Sequence, residues 1–189
     1  MKGGTTPLCT GSLKVMPDDS TRFPIRQHVI ASLSQLIGLP LTAARRAADM
    51  RTFQFGRLSP VGRGSVGIFA LHVSCPWRIE GPHGIVTGRL DLWEPANDGA
   101  PFDEKWDYES SPNLQDARLQ SWLAREKSPR IVTSVDADEY GGAAITFDQG
   151  FVLRLFPAGT RGEDWRLFQP KTGAPHLVIS GGGIEADEE

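Results

Sequence analysis

The sequence predicts an α+β protein: a largely antiparallel β-sheet with two or three helices packed on one face. Three observations point there. Residues 130–180 read as a meander of short strands cut by turn residues, RIVTSVDADEY, AAITFDQ, GFVLRLFP, EDWRLFQP and PHLVIS. Val135, Ile145 and Phe147, and again Leu153 and Leu155, alternate with polar neighbours, the period of a half-buried strand. Two other stretches space their apolar residues as helices do, Val29, Ile30, Leu33, Leu36 and Ile37 in one, Leu119, Trp122 and Leu123 in the other.

Taken in order, residues 1–20 are rich in Gly, Thr, Pro and Asp and read as a flexible segment. A helix is predicted over 25–37, with Pro24 suited to its first turn and Gly38 to its stop. Thr42 can cap a second, shorter helix over 42–50. A strand over 52–57 follows, then a turn at Pro60, Gly62 and Gly64. The apolar strand 65–75 ends at Pro76. Residues 77–79 continue extended, and Gly81-Pro82-His83-Gly84 marks a turn. In the predicted strand 85–93, Val86, Leu90 and Leu92 share one face while Arg89 and Asp91 share the other. The acidic, Pro-rich stretch 94–112 reads as a long surface loop. Asn113 or Asp116 opens a helix over 113–126. Gly141-Gly142 and Asp148-Gln149-Gly150 supply the left-handed positions of tight hairpins. Residues 181–189 read as a frayed acidic tail. This organisation is one α+β domain over 21–180, with halves 21–93 and 113–180. Trp77-Arg78-Ile79 in one half and Trp165-Arg166-Leu167 in the other hint at duplication.

The chain has 189 residues, two cysteines and a formal net charge of -3. That charge supplies no global attraction to nucleic acid or anionic lipid. Two cysteines, Cys9 and Cys75, make no disulfide framework, so free thiols in a reducing compartment are expected. No signal-peptide pattern opens the chain, and no apolar run reaches the roughly 20 residues of a membrane span. A soluble cytoplasmic protein is the expectation. Met1 and Met16 both fit a start.

Candidate chemistry is sparse. His72, Cys75 and His83, with Asp91 or Cys9, have zinc-ligand chemistry but not the spacing of a finger or ribbon, and Cys75 reads more simply as a small buried apolar residue. A nucleophilic Cys75 would need one of His28, His72, His83 or His176 beside it, and no G-x-S-x-G elbow is present. Asp136 and Asp138 would share a strand face, as an acid–base pair or as a solvated edge. Gly181-Gly182-Gly183 lacks the following helix of a phosphate cradle. No catalytic residue, metal site or cofactor is therefore assigned. Helices over 25–37 and 42–50 would make a helix–turn–helix, with Arg45, Arg46 and Arg51 aimed at phosphates, but a packing helix with a solvated arginine face fits the acidic chain better. Trp77, Arg78, Arg89, Asp91, Trp165 and Arg166, with Trp93, bring together residue types enriched at interaction hot spots.

The strings Ala70-Leu71-His72-Val73, Cys75-Pro76-Trp77-Arg78-Ile79, Trp165-Arg166-Leu167-Phe168 and Pro175-His176-Leu177-Val178 resemble those of a group of short uncharacterised bacterial proteins. The last third is similar to small immunity-type proteins of bacterial toxin systems. The absence of catalytic signatures, the interface-type residues and the acidic segments predict a non-enzymatic bacterial protein that holds a protein partner through the open sheet face and the acidic loop 94–112; the resemblance implies that this partner is a toxin. A second reading is a small-molecule enzyme or sensor with a polar pocket around His72, Arg78, Arg89 and Asp91. Binding of DNA through the two N-terminal helices is a third.

Overall fold

A computed structural model describes residues 23–97, 104–124 and 129–185. The expectations for the 1–20 segment, Cys9, residues 98–103 of the predicted loop, residues 125–126 of the predicted 113–126 helix and the end of the tail lie outside the described residues. Two helices, α1 (Phe23–Leu33) and α2 (Leu114–Ala124), pack against a sheet whose strands all pair antiparallel. The first half supplies β1 (Pro40–Ala47), β2 (Met50–Phe55), β5 (Phe69–Val73), β6 (Trp77–Gly81) and β7 (Gly84–Gly88), with a separate ribbon of β3 (Ser59–Val61) and β4 (Gly64–Val66). The second supplies β8 (Arg130–Ala137), β9 (Ala143–Phe147), β10 (Val152–Leu155), β11 (Glu163–Phe168), β12 (Leu177–Ser180) and β13 (Gly183–Glu185).

The eleven strands run β13-β12-β11-β5-β2-β1-β8-β9-β10-β6-β7. The β1–β8 joint is narrow: Pro40 opposes Ile131 and Leu41 opposes Arg130. The Val132 N–H adds a bond to the Leu39 carbonyl, and the Gly38 N–H one to the Val132 carbonyl. The sheet therefore has two wings hinged at that joint. Inward side chains of both wings and both helices share one hydrophobic core. Across it, the Phe53 and Trp77 rings meet edge to face at 5.4 Å, and the Trp165 indole N–H donates 2.8 Å to the Gly141 carbonyl.

The strand pattern occurs twice. The β3–β4 ribbon apart, each half is a helix, a hairpin, a third strand beside that hairpin, and then strands that cross into the other wing, two from the first half and three from the second. The registers agree residue by residue. The β1–β2 ladder shifts between Leu41 and Ala43, and the β8–β9 ladder between Val132 and Ser134. At each bulge a threonine hydroxyl reaches across the hairpin, Thr42 to the Gln54 carbonyl at 3.0 Å and Thr133 to that of Thr146 at 3.2 Å. Val73 of β5 opposes Trp165, and Leu155 of β10 opposes Trp77. Arg45, Arg46 and Arg51 thus correspond to Asp136, Ala137 and Ala143.

Several expectations change. The predicted helix over 42–50 is instead strand β1 and its turn, so no helix–turn–helix forms. An Ala- and Arg-rich run favours helix locally, but pairing with β2 and β8 overrides that weak preference. The predicted strand 65–75 is two strands, broken at Gly67, where a Cβ would stand 2.5 Å from the Phe55 carbonyl oxygen. Residues Arg89–Trp93 form a 3₁₀ turn rather than a strand end. The Asp91 carboxylate holds it by accepting from the Thr87 hydroxyl at 2.7 Å and the Gly88 N–H at 3.3 Å. Within the predicted frayed tail, Gly183–Glu185 pair with β12 as an edge strand. The C-terminal meander comes in two runs, β8-β9-β10 and β11-β12-β13, because β11 leaves β10 to pair with β5.

Candidate binding groove between β1 and α2

Where β1 leaves β8, a groove of about 980 Å³ opens between the strand and α2. Thr42, Ala43, Ala44, Arg45 and Arg46 line it in unbroken succession. Side chains of a strand alternate between faces, so five consecutive residues can border one groove only if the strand meets it edge-on. The ladder agrees. Ala47 and Met50 flank a two-residue turn and form a hydrogen-bonded pair. Counting back, the N–H and C=O of Ala44 and Arg46 point away from β2. No described group takes them up.

The equivalent edge of β8 is covered. α1 lies along it, with Val29 and Leu33 fully buried. The Arg26 Nε–H donates 2.7 Å to the Ala137 carbonyl, and its Nη2 pairs at 2.9 Å with Asp136. The Ala137 N–H closes on the Asp136 carboxylate at 2.9 Å.

Charged groups anchor the mouth of the β1 groove. Asn113 caps α2, its Oδ1 accepting the Asp116 N–H at 2.9 Å while its amide donates 2.8 Å to the Asp116 carboxylate. That places Asp116 against two arginines. Arg51 Nη2 reaches Oδ1 at 2.7 Å and Arg46 Nε reaches Oδ2 at 3.2 Å. Arg51 is only 3% exposed and also donates to the Gln115 side-chain oxygen. Its Nε is buried without a partner. Burial holds the Arg51 pKa below its usual value, opposed by Asp116. For Asp116, burial pushes the carboxyl up, but the bonds from Arg51 and Asn113 and the charges of Arg51 and Arg46 prevail and hold it below the usual range. Arg46 also donates to the carbonyls of Ala48 at 2.9 Å and Tyr108 at 3.1 Å, tying the hairpin turn to the 104–112 segment. The opposite wall is the apolar flank of α2, Leu119 and Leu123.

The residues singled out from sequence do not gather into one site. Trp77 and Trp165 are buried core residues, so neither contributes to an exposed sheet face. Arg78 pairs with Glu80 at 2.7 Å and lies over the Phe156 ring; Arg166 pairs with Glu163. Arg89 pairs with Asp49 at 2.7 Å and donates to the Ser74 carbonyl at 2.5 Å, whereas Asp91 serves its own 3₁₀ turn. His72 stands on the outer face of β5 against Phe168, and burial followed by the Arg166 charge lowers its pKa. His72, Arg78, Arg89 and Asp91 thus have separate partners rather than a shared pocket. Among the described residues, no three His, Cys, Asp or Glu side chains come together as a metal site. Burial pushes the Cys75 thiol up to about 12, so it stays protonated at neutral pH and is no ready nucleophile. Asp138 is occupied by the N–H groups of Tyr140 and Gly142 in its turn. No helix among the described residues is long and apolar enough to cross a membrane.

Sequence reading singled out Arg45, Arg46 and Arg51 but placed the first two on a helix. It missed the open strand edge and the role of Asp116. The paired Trp-Arg motifs were the available signal, because a duplicated fold invites comparison of equivalent edges. Comparison of the chain with protein-family models, curated proteins and solved structures finds no match.

Proposed function

We propose that this protein is a non-enzymatic binding protein that takes an extended segment of a protein partner onto the open edge of β1. The observation that carries this reading is the edge itself: unpaired backbone groups of Ala44 and Arg46 face a groove large enough for a chain segment. Strand addition satisfies such groups with main-chain hydrogen bonds, and flanking side chains supply selectivity. Leu123, half-buried on the groove wall, offers apolar surface to the incoming segment. The resemblance of the last third to immunity-type proteins supports the same class of activity, inhibition by contact.

A photo-crosslinking amino acid at Gln120, on the exposed rim of α2, tests the reading in cells, with the same probe at Thr172 as control. A protein adduct specific to position 120 is expected, and Ala44→Pro should abolish it. That substitution removes an outward N–H that β2 does not use, so the hairpin should persist. No adduct above the Thr172 control, or one indifferent to Ala44→Pro in a folded protein, defeats the proposal.

A further inference from the structure

We infer that the segment docking on β1 is acidic, with carboxylates at adjacent positions; this rests on the open-edge reading above and adds the chemistry of the partner. Adjacent residues of an added strand point to opposite faces of the sheet. A residue opposite Arg46 meets Arg46 on the inner face, with the buried Arg51 charge behind it, and its neighbour meets Arg45 on the outer face. Arg45 is exposed and donates only to Ser65, at 2.8 Å to its hydroxyl, with no carboxylate partner among the described residues. On the inner face, Arg46 and Arg51 share the single carboxylate of Asp116. Glu109 also lines the groove, leaving three guanidinium groups against two carboxylates. A basic segment would add cations to that excess, whereas opposite charges across a ladder attract.

The other half shows the same rule with the signs exchanged. There the strand carries Asp136 where β1 carries Arg45, and a cation covers the edge, Arg26 bonding both the Asp136 carboxylate and the Ala137 carbonyl. An edge with an acid is closed by a base in one wing; the edge with two arginines, backed by Arg51 of β2, calls for an acid in the other.

The test uses blocked ten-residue peptides of Val and Thr with two adjacent central Glu, the same peptide with two Lys, and a backbone N-methylated Glu form. Binding is read by fluorescence anisotropy against the full chain. The Glu peptide should bind about tenfold more tightly than the Lys peptide at low salt, and added salt should narrow the gap. Arg45→Glu should reduce or reverse the preference; N-methylation and Ala44→Pro should abolish binding of either peptide. Equal binding of Glu and Lys peptides, still lost with Ala44→Pro, overturns the acidic assignment while the open edge stands. Binding of neither peptide also overturns it, and the cross-linking result then decides separately whether the edge is used. Concentration-dependent dimerisation removed by Ala44→Pro would overturn it too, because the occupant would be a second copy of this chain.

Discussion

The edge of β8 and the edge of β1 occupy equivalent places in the two halves, yet among the described residues one is covered and the other open. On β8, α1 buries Val29 and Leu33 and an arginine bonds the last edge carbonyl. On β1, α2 stands against the strand through an Arg–Asp clasp and leaves a groove of about 980 Å³. Ala137 and Ala143 fill little space and let α1 close down. Arg46 and Arg51, at the same register, demand a counter-charge and hold α2 by its N-terminus. The difference teaches that exchanging two small side chains for two long cations can turn a packing contact into a groove.

The largest expected effect breaks the clasp. Asp116→Ala leaves the nearly buried Arg51 charge without its carboxylate and should cost about 3–5 kcal/mol in urea denaturation. In the other wing, Asp136→Ala removes the exposed Arg26 pair that ties α1 to β8 and should cost about 1 kcal/mol or less. Equal losses would mean that the wings are not distinguished in this way.

Next in size is a pair of truncations. Leu33→Ala, at the fully buried α1 contact, should cost about 3 kcal/mol through cavity formation, whereas Leu123→Ala, on the groove wall, should cost about 1 kcal/mol or less. A large loss at Leu123 would show that α2 is packed as tightly as α1.

A pH titration sharpens the same contrast. The Asp116 pKa is held below its unfolded value, so its contribution is present above about pH 4 and is lost as pH falls through the folded pKa. Asp116→Asn should therefore flatten the acid limb of stability relative to the parent chain. An unchanged acid limb would remove Asp116 from the account.

The smallest effect concerns the hairpin ends. The β8–β9 turn places Gly141 at a φ of 79°, but the β1–β2 turn places Ala48 at 51°. Ala48→Gly should relieve the left-handed strain and raise stability by about 0.5–1 kcal/mol, measured as an upward shift in thermal midpoint.

Strands whose apolar residues alternate, such as β9 and β10, were legible because the period itself reports a half-buried face. α1 was legible from its apolar spacing, but it ends at Leu33 and gives way to a 3₁₀ turn at Ser34–Leu36, short of the predicted stop at Gly38. β1 was not, because Ala-Ala-Arg-Arg-Ala-Ala carries no strand period and its conformation depends on partners in β2 and β8. The groove was hidden for the same reason: an unpaired edge belongs to the tertiary arrangement. Trp77 and Trp165 misled because a tryptophan's chemistry is the same in a core and at an interface; their place on the inward face emerges only once β6 and β11 are paired.

The exchange of strands between wings has a further consequence. β6 and β7 complete the wing begun by β8–β10, while β11, β12 and β13 complete the one begun by β1, β2 and β5. Neither half can close its own interior, so the two must melt together. A protease cut between residues 94 and 112 would accordingly leave two fragments clasped like linked hands, parting only when the whole fold gives way.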